Sequence, residues 1–463
     1  MGITEKISHL IVETGYEQIP KEAVLNAKMA ILDCLGCILA GSLSDAGKRI
    51  IEHVKQLGGK LEATVLAGGF KTSTVQAALA NGTLAHALDF DDCAAGKWPG
   101  HPTAPILPVV LALGEKLRVS GKEAIEAYIL GVEVEGKIGS AIGNKNYELG
   151  WHTTSITGTM GASIAAAKIL KLTPQEIRMA LGIAASEASG LSRNFGTLTK
   201  PLHAGIASRN GVEAGLLAKN GFTAHESILE GPNGFSQVLC GGSECDLEEI
   251  VTRFGAPFEI VSPGFSIKPY PSCMLTHRCI DAILHLIKKY RISPEDVEEV
   301  ECKTGAWIAQ DLVYFFPRTA LEGKFSMQYC MAIALLDGEV GLKQFTDEKV
   351  LDPKAQNLIK KVKYVHPEGV TGMAESRRLP ESVTVRLRDG RKYQYEVSVA
   401  RGFPQKPMSQ DEVASKYREC ASLVLPDEKV ELSLKLVSNF EALNNISEII
   451  DVCATKKPEI LSL

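Results

Sequence analysis

The constraint that narrows the fold most is a long succession of apolar runs at helical spacing. From about Glu5 to Gly221 these runs follow one another with only short breaks. Between Lys21 and Leu39, Val24, Ala27, Ile31, Leu32, Leu35 and Ile38 recur near a 3.6-residue period, the signature of one helix face. Thr74 to Asp89 is alanine-rich with Ala77, Ala80, Leu84 and Leu88 to one side, and Pro105–Leu117 and Lys122–Ile142 repeat the pattern. Thr157–Leu170 opens on Gly158 and Gly161. Thr173-Pro174 then supplies an N-cap and a first-turn proline for the next helix. Ala204–Leu217 ends before Asn220-Gly221. No repeat of 20–50 residues runs through this region, so it reads as one helical domain and not a solenoid.

The texture changes after Gly255. Pro257, Pro263, Pro269 and Pro271 crowd a short stretch that suits a linker or loop. Beyond it, helical spacing at Thr276–Tyr290 and Lys324–Leu336 is mixed with alternating runs at Val297–Cys302, Val383–Leu387 and Tyr393–Val397. Asp389-Gly390 between the last two is a strong hairpin signal. The fold class is therefore mainly α with an α+β lid. Helical residues 1–264 and 404–463 flank an α+β domain at 265–403.

The chain's 463 residues are compatible with two unequal domains or three, and can bury a core without disulfides or metal. Glycine, 42 residues, is above the usual share and aromatics are few, which suggests closely packed helices with small residues at their contacts. The balance of 50 basic to 55 acidic residues excludes a general polyanion binder. No signal peptide and no run of about 18 uncharged apolar residues is visible. The odd count of 11 cysteines sits mostly in apolar stretches, so a reduced, cytoplasmic protein is expected.

Several segments gather chemistry-bearing side chains. His86-Ala-Leu-Asp89-Phe-Asp91-Asp92-Cys93, followed by Gly100-His101-Pro102, sets three carboxylates at the end of an apolar helix, against its dipole. It reads as a solvated acidic turn, a site, or metal ligands. His152-Thr153-Thr154-Ser155 precedes a small-residue helix whose N-terminus can seat an anion. Lys200-Pro201-Leu202-His203 and Lys268-Pro269-Tyr270-Pro271 each place a lysine before a proline, and Phe325-Ser326-Met327-Gln328-Tyr329 opens a helix. Each also has a structural reading, as cap, linker or core. Taken together they form a kit for binding a small polycarboxylate and moving protons on it.

In that order the segments resemble the MmgE/PrpD family of 2-methylcitrate dehydratases, cis-aconitate decarboxylases and iminodisuccinate epimerases. The match spans nearly the whole chain. The resemblance implies a helical domain built from both chain ends, a smaller lid, a homodimer, and an active site between the domains with no metal or organic cofactor. Catalytic roles fall on His101, His152, Lys268, Tyr329 and Asp89, and substrate binding on Lys200, Cys93 and His203. Cys93 and Lys97-Trp98-Pro99-Gly100 depart from the decarboxylase-like pattern, so the expected reaction is dehydration of a 2-methylcitrate- or citrate-like acid. Decarboxylation of a cis-aconitate-type acid or epimerisation is the alternative. An iron–sulfur hydratase using Cys34-Leu-Gly-Cys37, a lysine Schiff-base enzyme using pyridoxal phosphate, and a non-catalytic carboxylate-binding helical protein are readings of other classes. Neither nucleic acid nor membrane is expected as a partner.

Overall fold

The computed structural model describes residues 1–242, 245–366 and 379–454. The chain forms two compact units. The first comprises residues 1–194, 198–267 and the C-terminal stretch from Ser409. The second comprises 195–197 and Lys268–Met408.

The first unit is built on helices α1 (Lys21–Gly41), α2 (Thr74–His86), α3 (Thr103–Leu117), α4 (Gly121–Ile142), α5 (Thr153–Leu170), α6 (Pro174–Glu187) and α7 (Thr199–Lys219). Local chemistry starts them where the sequence suggests. Ser120 caps α4 and Thr173 caps α6, each accepting from the backbone N–H three residues on, while Glu123 and Glu176 reach back. Each such box satisfies two donors that would otherwise be orphaned.

Small residues let the helices touch backbone to backbone. A Cβ on Gly205 of α7 would stand 2.4 Å from the Leu79 carbonyl of α2. One on Gly211 would meet Ala162 of α5 at the same distance, and one on Gly161 would lie 2.7 Å from the Gly131 carbonyl of α4. The excess of glycine is thus spent on α2, α4, α5 and α7, the helices that carry or adjoin the candidate site. A two-residue strand, β1 (Cys93–Ala94), pairs antiparallel with β2 (Phe265–Ser266), Cys93 opposite Ser266.

The second unit packs α8 (His277–Tyr290) and α9 (Met327–Asp337) around a four-stranded sheet. Its strands are β3 (Val297–Lys303), β4 (Val362–Val365), β5 (Glu381–Leu387) and β6 (Lys392–Val397), in the order β4-β3-β5-β6. Only the β3–β4 pairing is parallel. Asp389-Gly390 makes the β5–β6 turn, with Gly390 at φ 90°. Ile280, Ile283, Val300, Cys302, Val383, Val385, Tyr329 and Met331 share one buried core.

The chain then returns to the first unit with α10 (Gln410–Ala421) and α11 (Asp427–Ser438). Residues 455–463 of the helical tail lie outside the described residues. Helix α1 is long and apolar enough to cross a membrane by length and composition, but 72% of its apolar window is buried within the protein. Its Asp33 pairs with Lys416 Nζ of α10 at 2.6 Å. Cys34 and Cys37 are buried in α1 as free thiols, as core packing requires. Cys240 and Cys245 form a disulfide, whereas the other nine cysteines are free thiols.

Candidate active site

Helix α2 ends at His86, three residues sooner than the periodicity suggests. Asp89 takes a left-handed conformation, φ 52°, which aspartate tolerates better than most side chains. That bend separates the three carboxylates, which do not stack at the helix end as the sequence spacing implies. Each finds its own partner.

Asp89 accepts from Lys200 Nζ, and both are buried. Lys200 lies in the first turn of α7, not ahead of the helix as expected, because the helix starts at Thr199 and takes Pro201 into its first turn, where a missing N–H costs nothing. A cation there opposes the helix dipole, and the Asp89 carboxylate offsets it.

Asp91 Oδ2 lies between two imidazoles, 2.8 Å from His86 Nδ1 and 3.1 Å from His101 Nδ1. The two rings meet edge to face with centroids 4.4 Å apart. Burial raises the Asp91 carboxyl, but the charges and hydrogen bonds of His86 and His101 outweigh it and hold it well below the usual carboxylate range. Burial pushes His86 down to about 4, so its ring is neutral at physiological pH although Asp91 favours the proton.

Asp92 turns away from the cluster. It accepts from the Thr103 backbone N–H at 3.2 Å and from the Thr103 hydroxyl at 2.5 Å, so it caps the start of α3. Thr103 Oγ1 also lies 2.6 Å from the Tyr128 hydroxyl. Burial, set against the Thr103 hydrogen bonds and reinforced by the charges of Asp33 and Asp91, pushes Asp92 up to about 8.

His101 sits on the loop after β1. Its backbone N–H donates to Thr154 Oγ1 at 3.2 Å, tying the loop to the start of α5, and Cys93 Sγ lies 3.6 Å from its Nδ1. Trp98, on the same loop, is buried and donates from Nε1 to Glu259 at 3.4 Å. His152, immediately before α5, presents Nδ1 to His203 Nδ1 of α7 at 3.0 Å. Its ring stacks on His86 with centroids 5.7 Å apart. Burial lowers both imidazoles, His152 well below its ordinary value and His203 to about 4, with the Lys200 charge acting in the same direction.

The first unit thus brings together Asp89, Cys93, His101, His152, Lys200 and His203. Lys268 and Tyr329 belong to the second unit. Lys268 is wholly buried, and the Tyr329 hydroxyl donates to the Gln344 carbonyl while its ring packs edge-on against Phe345 at 5.7 Å. His86 and Asp91 are the residues that site reasoning passed over. The His86-to-Asp91 interval of five residues fits no regular helix face, and only the bend at Asp89 closes it. Among the described residues, His86, Asp89 and His101 form the one group whose donor atoms lie close enough together, within 4.8 Å, to hold a metal ion.

Two family models match the chain in sequence order: the MmgE/PrpD N-terminal domain over residues 5–248 and the MmgE/PrpD C-terminal domain over residues 270–442. The chain belongs to the MmgE/PrpD family. Within the family it is similar to the cis-aconitate decarboxylase of Mus musculus, 29% identical with 96% of this chain and 92% of that protein aligned. The Homo sapiens enzyme of the same name is 28% identical, with 100% and 96% aligned. The mitochondrial 2-methylcitrate dehydratase of Yarrowia lipolytica is 24% identical, with 80% and 74% aligned.

Proposed function

We propose that this MmgE/PrpD protein is a lyase acting on a small polycarboxylic acid, and that its reaction is decarboxylation of a cis-aconitate-type substrate. The observation that carries the acid–base part is one carboxylate, Asp91, shared by His86 and His101 beside the Lys200 ammonium. Decarboxylation is preferred over dehydration, the leading expectation from the sequence, because the decarboxylase relatives match at 28% and 29% identity while the dehydratase relatives match at 23% and 24%.

The chemistry needs two services. Lys200, oriented by Asp89, attracts a substrate carboxylate and stabilises the charge that develops beside it. Loss of CO2 breaks the bond between the methylene carbon and its carboxylate. That electron pair forms the new methylene double bond, and the pair of the original double bond moves to the carbon alpha to the remaining terminal carboxylate. That carbon then takes one proton. His101 is the histidine to supply it, because its side chain is 12% exposed while that of His86 is wholly buried, and Asp91 balances a positive ring. Of His152 and His203, both held neutral by burial, the ring whose Nδ1 accepts the shared hydrogen carries its own proton on Nε2 and offers a hydrogen bond to another carboxylate.

Dehydration remains the second reading, favoured by the weaker match to the Yarrowia lipolytica dehydratase. Proton NMR of the purified protein with cis-aconitate and, separately, 2-methylcitrate in deuterated water distinguishes them. The proposal expects CO2 release from cis-aconitate and one deuterium beside a carboxylate of the methylene product. Water loss from 2-methylcitrate with cis-aconitate untouched overturns it in favour of dehydration.

A further inference from the structure

We infer that His86, His101 and Asp89 also form a site for a divalent transition-metal ion, with Asp91 as its outer support and the Lys200 ammonium as its competitor. Three features point there. A ring nitrogen from each histidine and a carboxylate oxygen of Asp89 come within 4.8 Å of one another. Asp91 Oδ2 takes the Nδ1 atoms of both histidines, which leaves the Nε2 atoms as the pair that would face a metal. A ligating histidine almost always holds a carboxylate or carbonyl on its other nitrogen in this manner, which fixes ring orientation and raises ligand basicity. Finally, His86 Nε2 is buried with no hydrogen-bond partner. A buried ring nitrogen left bare is costly unless something occupies it part of the time.

Two imidazoles and one carboxylate suit a borderline cation such as Zn2+, with a further coordination position left open. Bonds of about 2.1 Å place tetrahedral donors roughly 3.4 Å apart, so the three side chains must close slightly around the ion. Asp89 already holds one cation, the Lys200 ammonium. The metal takes its place on that carboxylate, so the two occupants exclude each other.

The test is a direct binding measurement and does not depend on which reaction the protein catalyses. Full-length protein is stripped with a chelator, exchanged into a buffer free of carboxylic acids, and titrated with Zn2+ by equilibrium dialysis with elemental analysis. Variants that retain the wild-type circular dichroism are compared. One zinc per chain is expected in the wild type. Asp91→Asn is expected to weaken it by about 10–100-fold, the usual effect of removing an outer carboxylate. His101→Ala should abolish stoichiometric binding, and Lys200→Met should tighten it at least tenfold. Failure of the wild type to retain zinc overturns the site, as does an affinity unchanged in both Asp91→Asn and His101→Ala. An affinity unchanged in Lys200→Met overturns the exchange with the ammonium.

Discussion

His152 and His203 face each other Nδ1 to Nδ1 at 3.0 Å, and burial keeps both rings neutral. Only one of the two nitrogens can carry the shared hydrogen, so the pair locks opposite tautomers and fixes what each Nε2 presents. His203→Ala removes the imidazole that faces the buried His152 Nδ1, at a cost of about 1–3 kcal/mol. The expected result is a lower thermal midpoint and a fall in kcat/KM of about 10–100-fold for the preferred acid. His203→Asn, which retains a polar atom near Nδ1, should recover most of the stability and little of the rate. Calorimetry and steady-state kinetics on both variants check this.

Lys200 and Asp89 are a buried ion pair, and the two halves do different work. Lys200→Met strands the Asp89 charge and should cost about 3–5 kcal/mol, the usual penalty for breaking such a pair. Lys200→Met combined with Asp89→Asn removes both charges and should restore most of that stability. Catalysis should stay lost in both, because no ammonium remains to meet the substrate carboxylate. Chemical denaturation alongside substrate turnover separates the two effects. Recovery of activity in the double variant would refute the role given to Lys200.

Asp92 makes a prediction about pH. Its carboxyl is raised to about 8 in the folded protein and titrates near 4 when unfolded. Between those values the folded state holds a proton that the unfolded state has released, so the contribution of Asp92 to stability declines as pH rises through that window. It is fully present below about 4. Asp92→Asn removes this dependence. The wild-type stability curve should therefore fall relative to that of Asp92→Asn as pH rises to about 8, and the two should run parallel above it. Urea denaturation at stepped pH reads the difference.

The helices of the first unit were legible because apolar spacing and capping pairs are local properties. Thr173-Pro174 marks the start of α6. The hairpin at Asp389-Gly390 was legible for the same reason. The start of α7 was not, because Pro201 reads as a break when it is in fact tolerated in a first turn. Six of the eight site residues taken from the sequence, Asp89, Cys93, His101, His152, Lys200 and His203, fall in the first unit. Lys268 and Tyr329 fall in the second. The central role of Asp91 was hidden. It depends on a single left-handed residue, Asp89, that turns a row of acids into three separate partnerships, and no periodicity records a backbone reversal of one residue. The Tyr329 hydrogen bond to the Gln344 carbonyl was equally out of reach, since it joins two elements across the core of the second unit.

Gly205 tests whether the site depends on close helix packing. It lies two residues after His203, at the crossing of α7 over α2, and a Cβ there would sit 2.2 Å from Thr83 Oγ1 and 2.4 Å from the Leu79 carbonyl. The carbonyl belongs to a helix backbone and cannot move aside as a flexible side chain would. Gly205→Ala must push α7 away from α2, at a cost of about 1–3 kcal/mol for overpacking. Because Lys200 and His203 ride on α7 while His86 ends α2, the displacement also separates the two sides of the site. The expected phenotype is a lower midpoint together with a loss of kcat larger than the loss of stability alone explains at the assay temperature. Gly221→Ala supplies the contrast. That glycine follows the end of α7 at φ 83° with open space around it, so its substitution strains the backbone but leaves the crossing intact. It should lower the midpoint while kcat at a temperature where the protein stays folded is unchanged.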